Sequence, residues 1–159
     1  MDGDSLTARF IAETRWSDLP EAVKNKAKMC LMDNLSAAIS GTQAEVSRIA
    51  AEFASDFMPG EQATVLVHGN RAAAAGAAFA NASAANGLDT DDGARYAYGH
   101  AGAQIFPAAL AVAEARGASG ADLLSGMVVT VVPLVGGVFL CRRILGLHLF
   151  HTLGVIAGG

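Results

Sequence analysis

Apolar and polar positions alternate along this chain mostly at the three- and four-residue spacing of helices, and glycine, proline and serine punctuate the runs. Ser5 can cap a first helix reaching about Arg15. In "SDLPEAVKNKAKMCLMDNLSAAISG" the caps are Ser17 or Asp18, Pro20 sits in the first turn and Gly41 is the stop. Val23, Ala27, Leu31, Leu35 and Ala38 form one apolar stripe on that helix. Thr42 caps the next, with Val46, Ile49, Ala50, Phe53 and Phe57 facing inward and Met58-Pro59-Gly60 ending it. "ATVLV", residues 63–67, is the only strand-like run. Asn70 then caps "RAAAAGAAFANASAANG", which has ten alanines and a single large side chain, Phe79. Small side chains let backbones approach closely, so this segment is predicted to be a central helix surrounded by others. Pro107 opens "PAALAVAEARG", Gly117 stops it, and Ser119 caps a long apolar helix that Pro133 should kink. The pattern predicts an all-α, multi-helix bundle forming one domain over residues 1–159.

That long helix requires a membrane test. Leu123–Cys141 is 19 residues without a charge, followed by Arg142 and Arg143, which suits a spanning helix. Ser125, Gly126, Thr130, Pro133, Gly136 and Gly137 dilute the run, and a core helix buried on all sides reads the same way. No second span accompanies it, so the expectation is a cytoplasmic protein with no membrane partner. The N-terminus "MDGDSLTARF" is acidic and does not fit a signal peptide.

Composition sharpens this picture. The chain is 52% hydrophobic and only 16% charged, against roughly 25% charged in an ordinary soluble domain. So few charges cannot cover its surface, which predicts burial against more protein, either a partner subunit or a further part of the same polypeptide. A net charge of −4 without a basic stripe excludes a nucleic-acid partner. Lys24, Lys26 and Lys28 share one short helical stretch with no aromatic residue among them. Cys30 and Cys141 match no metal or redox spacing and read as buried, reduced thiols.

The charge that exists is concentrated. "LDTDDGARYAYGHAGA", residues 88–103, carries three acids, an arginine and a histidine between alanine-rich segments. Asp89, Asp91 and Asp92 do not form a calcium loop, since glycine is fifth and His100 stands twelfth, where an EF-hand needs glutamate. His100 sits among small residues that would let a substrate approach, and a carboxylate could orient it as a general base. Solvated loop acids and an exposed loop histidine are the plainer reading. His148 and His151 can share a helix face but lack carboxylates for a zinc motif. His68, beside Gly69, reads as a surface histidine. No phosphate-binding glycine loop, nucleophile elbow or Cys–His pair appears.

Four stretches together, "LPEAVKNKAKMCLMDNLSAAISG", "ATVLVHGNRAAAAGAAFANASAANGLDTDD", "HAGAQIFPAALAVAEARGASGADLL" and "GLHLFHTLG", resemble the MmgE/PrpD family. It includes 2-methylcitrate dehydratase, cis-aconitate decarboxylase and iminodisuccinate epimerase. The most specific piece is L-D-x-D-D after an alanine-rich helix, followed by H-x-G-A and P-A-A-L-A. The resemblance implies part of a large helical domain, here without the smaller lid domain, and hence an N-terminal piece of a longer enzyme. It implies a cofactor-independent lyase, with neither metal nor organic cofactor, acting on small di- or tricarboxylates in a dimer.

Carried over by position, the resemblance makes Asp89, His100 and His148 the catalytic residues and leaves His151 incidental. Asp92 and Arg95 are the substrate-binding candidates, Arg95 as the loop's only cation. In this reading 2-methylcitrate-type dehydration uses His100 or His148 as base and Asp89 as its orienter. Epimerase, decarboxylase, or a non-catalytic helical module that self-associates are the alternatives. Departures from the family pattern are Thr90 for an aromatic, Asn86-Gly87 for His-Ala, Ala101 for a proline after His100, and Leu149-Phe150 for Pro-Thr. No lysine follows Lys28, whereas the family's sites draw lysines from later segments.

Overall fold

The computed structural model describes residues 3–93 and 99–145, with side chains at 5–93 and 99–132. Among the described residues six α-helices occur in order: α1 (Gly3–Glu13), α2 (Glu21–Gly41), α3 (Glu45–Phe57), α4 (Ala74–Asn86), α5 (Ala101–Arg116) and α6 (Gly120–Leu145). The only sheet among the described residues is a two-residue antiparallel pair, β1 (Ala63–Thr64) with β2 (Arg71–Ala72), in which Ala63 faces Ala72. The fold is mainly α, as the periodicity predicts. None of the described helices is long and apolar enough to cross a membrane.

α4 occupies the centre, packed by α2, α3 and α5. Its alanines explain this. Where α2 ends on α4, a Cβ added to Gly41 would overlap the backbone carbonyl of Ala84. Elsewhere along α4, Ala77 and Ala80 meet Ala50, Ala51 and Ala54 of α3 in one core cluster. A second cluster joins Ala38, Ala85, Ala103, Ile105, Phe106 and Met127 across α2, α4, α5 and α6.

α3 corrects the predicted inward face. Ser47, Ala50, Ala51 and Ala54 are buried, while Val46, Ile49, Phe53 and Phe57 are exposed, Phe57 to 72%. The alanine side of α3 faces α4 because only small side chains permit so close a helix pair. The large ones are left outside, where Phe53 stacks on Phe57 at 4.9 Å and touches Phe79 of α4 at 5.6 Å.

Several boundaries also move. Pro20, not Ser17 or Asp18, is the cap residue of α2. Asp18 instead closes the short 3-10 turn Trp16–Asp18, accepting the Arg15 amide at 3.0 Å. Ala44 and Ala73, not Thr42 and Asn70, precede α3 and α4. Pro107 lies inside α5 rather than opening it. Gly117 ends α5 as expected, in the left-handed conformation at φ 59° that glycine adopts without penalty. Ser119 caps α6 as expected: its Oγ accepts the Asp122 amide at 3.2 Å while Asp122 accepts the Ser119 amide at 3.1 Å. The α6 backbone runs helical through Pro133.

The strand-like run shrinks to β1 because the chain turns back at once, with Val67 and Gly69 at positive φ. Buried Asn81 of α4 holds this loop, accepting the Leu66 amide at 2.8 Å and donating to the Thr64 carbonyl at 3.0 Å. Glu114 of α5 secures the same segment by accepting the Thr64 amide at 2.8 Å, and it pairs with Arg71 at 3.1 Å. Burial pushes the Glu114 carboxyl up, but the bonds from Thr64 and Arg71 outweigh it and hold the group below its ordinary value.

Candidate functional site

The charged loop leaves the C-terminal end of α4 and returns at the N-terminal end of α5, so both of its ends are fixed by the core. Gly87 closes α4 with its amide on the Ala84 carbonyl. Asp89 then adopts φ 53°, a left-handed value that aspartate tolerates better than most residues, with its amide on the Asn86 carbonyl at 3.0 Å. This turn sends Asp91 inward. Its side chain is completely buried, and Asn86 donates to Oδ1 at 3.4 Å.

His100 is the residue immediately before α5, and its ring lies between two acids. Nδ1 stands 3.3 Å from the Asp91 carbonyl in hydrogen-bonding geometry and 3.2 Å from Asp91 Oδ2. The second contact has ion-pair distance without hydrogen-bond geometry, so Oδ2 remains a buried acceptor with no donor. On the other side, Nε2 is 3.7 Å from Asp89 Oδ1, whose side chain is 84% exposed. A carbonyl only accepts, so Nδ1 is the nitrogen that carries the hydrogen. Nε2, on the side of the exposed acid, is left to take up or release a proton.

Asp92 bonds to the start of α5. Its Oδ1 accepts the Gly102 amide at 2.9 Å, satisfying one of the free N–H groups in the first turn of α5. This remote cap explains why α5 starts at Ala101 and not at Pro107. Gly102 has no room for a side chain, because a Cβ there would overlap Asp92 Oδ1 and the amide of Asn34. Asn34, wholly buried in α2, donates to the Cys30 carbonyl at 2.8 Å and leaves its Oδ1 without a donor. Burial raises the Cys30 thiol, Lys26 partly offsets the rise, and Asp92 and Asp33 add to it.

The structure therefore brings Asp89, Asp91 and His100 together and puts Asp92 at the base of the helix that presents the histidine. Arg95, His148 and His151 lie outside the described residues, as does the side chain of Cys141. His68 is exposed, as the sequence suggests, with Nε2 3.3 Å from Ser47 Oγ. Sequence reasoning missed Asn34, Asn86 and Gly102. Asn34 carried a usable signal, since it stands seven residues after Ala27 and so shares the apolar face of α2.

Asp89, Asp91 and His100 can each offer a ligand atom within 4.8 Å of the others, a spacing open to a metal ion. The orientation suits proton transfer better. The two acids address opposite ring nitrogens, whereas one cation would engage only one of them.

Fold and cluster together define a helical domain that carries a histidine and two carboxylates at the junction of two helices. The chain belongs to the MmgE/PrpD family: the model of the MmgE/PrpD N-terminal domain matches residues 5–132. A cis-aconitate decarboxylase-like protein, oryM, from Aspergillus oryzae (strain ATCC 42149 / RIB 40) is 28% identical over 127 residues, 76% of this chain and 26% of the relative. The chain thus spans about a quarter of the length of the curated relative it matches. No solved structure matches it.

Proposed function

We propose that this domain supplies the proton-transfer half of a cofactor-independent lyase acting on small di- or tricarboxylates, with dehydration of a 2-methylcitrate-type substrate as the reaction. The observation that carries the reading is the His100 ring held between the Asp91 carbonyl and the Asp89 carboxylate. Loss of water requires removal of a proton from the carbon next to a carboxyl group. The electron pair of that C–H bond becomes the new C=C bond, and the hydroxyl leaves the neighbouring carbon as water after taking a proton. His100 Nε2 takes the first proton, Nδ1 stays bonded to the Asp91 carbonyl, and Asp89 steadies the protonated ring. Family resemblance adds His148 as the second proton-transfer group, and Arg95, the loop's only arginine, is the proposed carboxylate contact. Asp92 acts by fixing the start of α5. A second copy of the chain is the proposed partner, and the exposed Phe53, Phe57 and Phe79 support a surface that more protein covers.

The similarity to a cis-aconitate decarboxylase-like protein favours one second reading. There the substrate's C–C bond to carboxylate breaks, carbon dioxide leaves, and the carbanion takes its proton from protonated His100.

Incubating the protein, and the complete product of its gene, with 2-methylcitrate, cis-aconitate and iminodisuccinate tests both readings. Turnover of one, reduced at least a hundredfold in His100→Asn, is expected. Turnover of none refutes the proposal.

A further inference from the structure

Asn34 is the only polar side chain among the buried residues of α2, the others being Ala27, Ala37, Ala38 and Gly41. It is fully buried, one amide group bonds to the Cys30 carbonyl, and Oδ1 has no donor. An unsatisfied buried acceptor is costly, and an apolar residue of similar size would pack without that cost. Packing alone therefore does not account for it. Its amide lies where a Gly102 side chain would be, and Asp92 Oδ1, which accepts the Gly102 amide, borders the same point. Gly102 is two residues past His100, in the turn that sets the direction of the ring.

We propose that Asn34 is a positioning residue for His100, its buried amide forming the floor that keeps Asp92 on the Gly102 amide and so fixes where α5 begins. The inference rests on the reading of His100 as the proton-transfer group. Asn34 sits on a helix that contributes nothing to the charged loop, so α2 becomes part of the site through a chain of contacts: Asn34 to Asp92 and Gly102, then to the first turn of α5, then to the imidazole. The order of stiffness is sensible. A buried helix interior supports a helix start, and the helix start supports the reacting side chain.

Amide exchange and histidine ring resonances, measured by NMR on the chain, test this without any substrate. In Asn34→Leu, exchange of the Gly102 amide is expected to quicken at least tenfold relative to the Ala80 and Ala84 amides of α4, and the His100 ring signals should move. Asn34→Asp puts a second carboxylate beside Gly102, near Asp92, and should have the larger effect. Asn34→Asp with Asp92→Asn restores one amide and one carboxylate and should recover at least half of the loss. In the active protein Asn34→Leu should lower kcat about tenfold with KM within twofold. Unchanged Gly102 exchange and His100 signals in Asn34→Leu, or in Asn34→Asp should the first variant not fold, would overturn the proposal. Responsive signals in a protein that turns over none of the three acids would remove the lyase reading and leave the structural link intact.

Discussion

The carboxylate of Asp92 accepts the amide hydrogen of Gly102 at 2.9 Å across ten residues of chain. That bond ties the acidic loop to the helix carrying His100, and it makes the absence of a side chain at Gly102 a requirement. A methyl group there would overlap Asp92 Oδ1 and the buried Asn34 amide. Asp92 can swing away, but Asn34 is enclosed. Gly102→Ala is expected to destabilise the chain by about 1–3 kcal/mol, the usual range for an overpacked interior position. Urea denaturation followed by circular dichroism measures it, and a stability equal to the parent would contradict the packing described.

Much of this was legible beforehand, and the misses have physical causes. The alanine run announced a close-packed central helix, and α4 is that helix. In its neighbour α3, hydrophobicity alone points Phe53 and Phe57 inward, whereas the crossing with α4 admits only Ala50, Ala51 and Ala54. Pro107 suggests a helix start because proline favours a first turn. The true start depends on the Asp92 side chain, which no local window reveals. In the acidic loop the pairing of Asp89 with His100 was legible from the motif. The burial of Asp91 and the support from Asn34 depend on how three helices meet.

Asn81 gives a second test of a buried polar group, this one fully engaged. It bridges the Leu66 amide and the Thr64 carbonyl. Asn81→Leu would strand both backbone groups under α4. A loss of at least about 2 kcal/mol is expected, since two groups are stranded and each buried group left without a partner costs about 1–3 kcal/mol. Amide exchange should show Leu66 losing protection first. Equal protection of Leu66 in variant and parent would mean that the loop is held by other contacts.

Glu114 predicts a pH dependence. Its carboxyl is held below the ordinary value of 4.5 by Thr64 and Arg71, against the opposing effect of burial. The folded state therefore binds that proton less readily than the unfolded chain. The resulting stability is fully present above about pH 4.5 and is lost as pH falls through the lower folded-state value. Glu114→Gln should reduce stability by about 1 kcal/mol at pH 7, with the gap from the parent narrowing below pH 4.5. Denaturation midpoints between pH 3 and 7 measure this, and a constant gap across the range would refute the assignment.

Ala101 offers a change in the stabilising direction. It is the first residue of α5, directly after His100, where a backbone N–H has no helical partner and a fixed φ near −65° suits the helix. Among the described residues nothing accepts that N–H, and proline restricts the unfolded chain. The residue before it must be extended, and His100 is at φ −102° and ψ 84°, so a modest rise in ψ is required. Ala101→Pro is expected to add about 0.4–1 kcal/mol of stability and to narrow the range of His100 ring orientations. Thermal unfolding tests the first effect, and sharpened His100 ring resonances the second. A lower melting temperature would show that the ψ adjustment strains the Asp91 contact, which would make alanine the better residue beside this histidine.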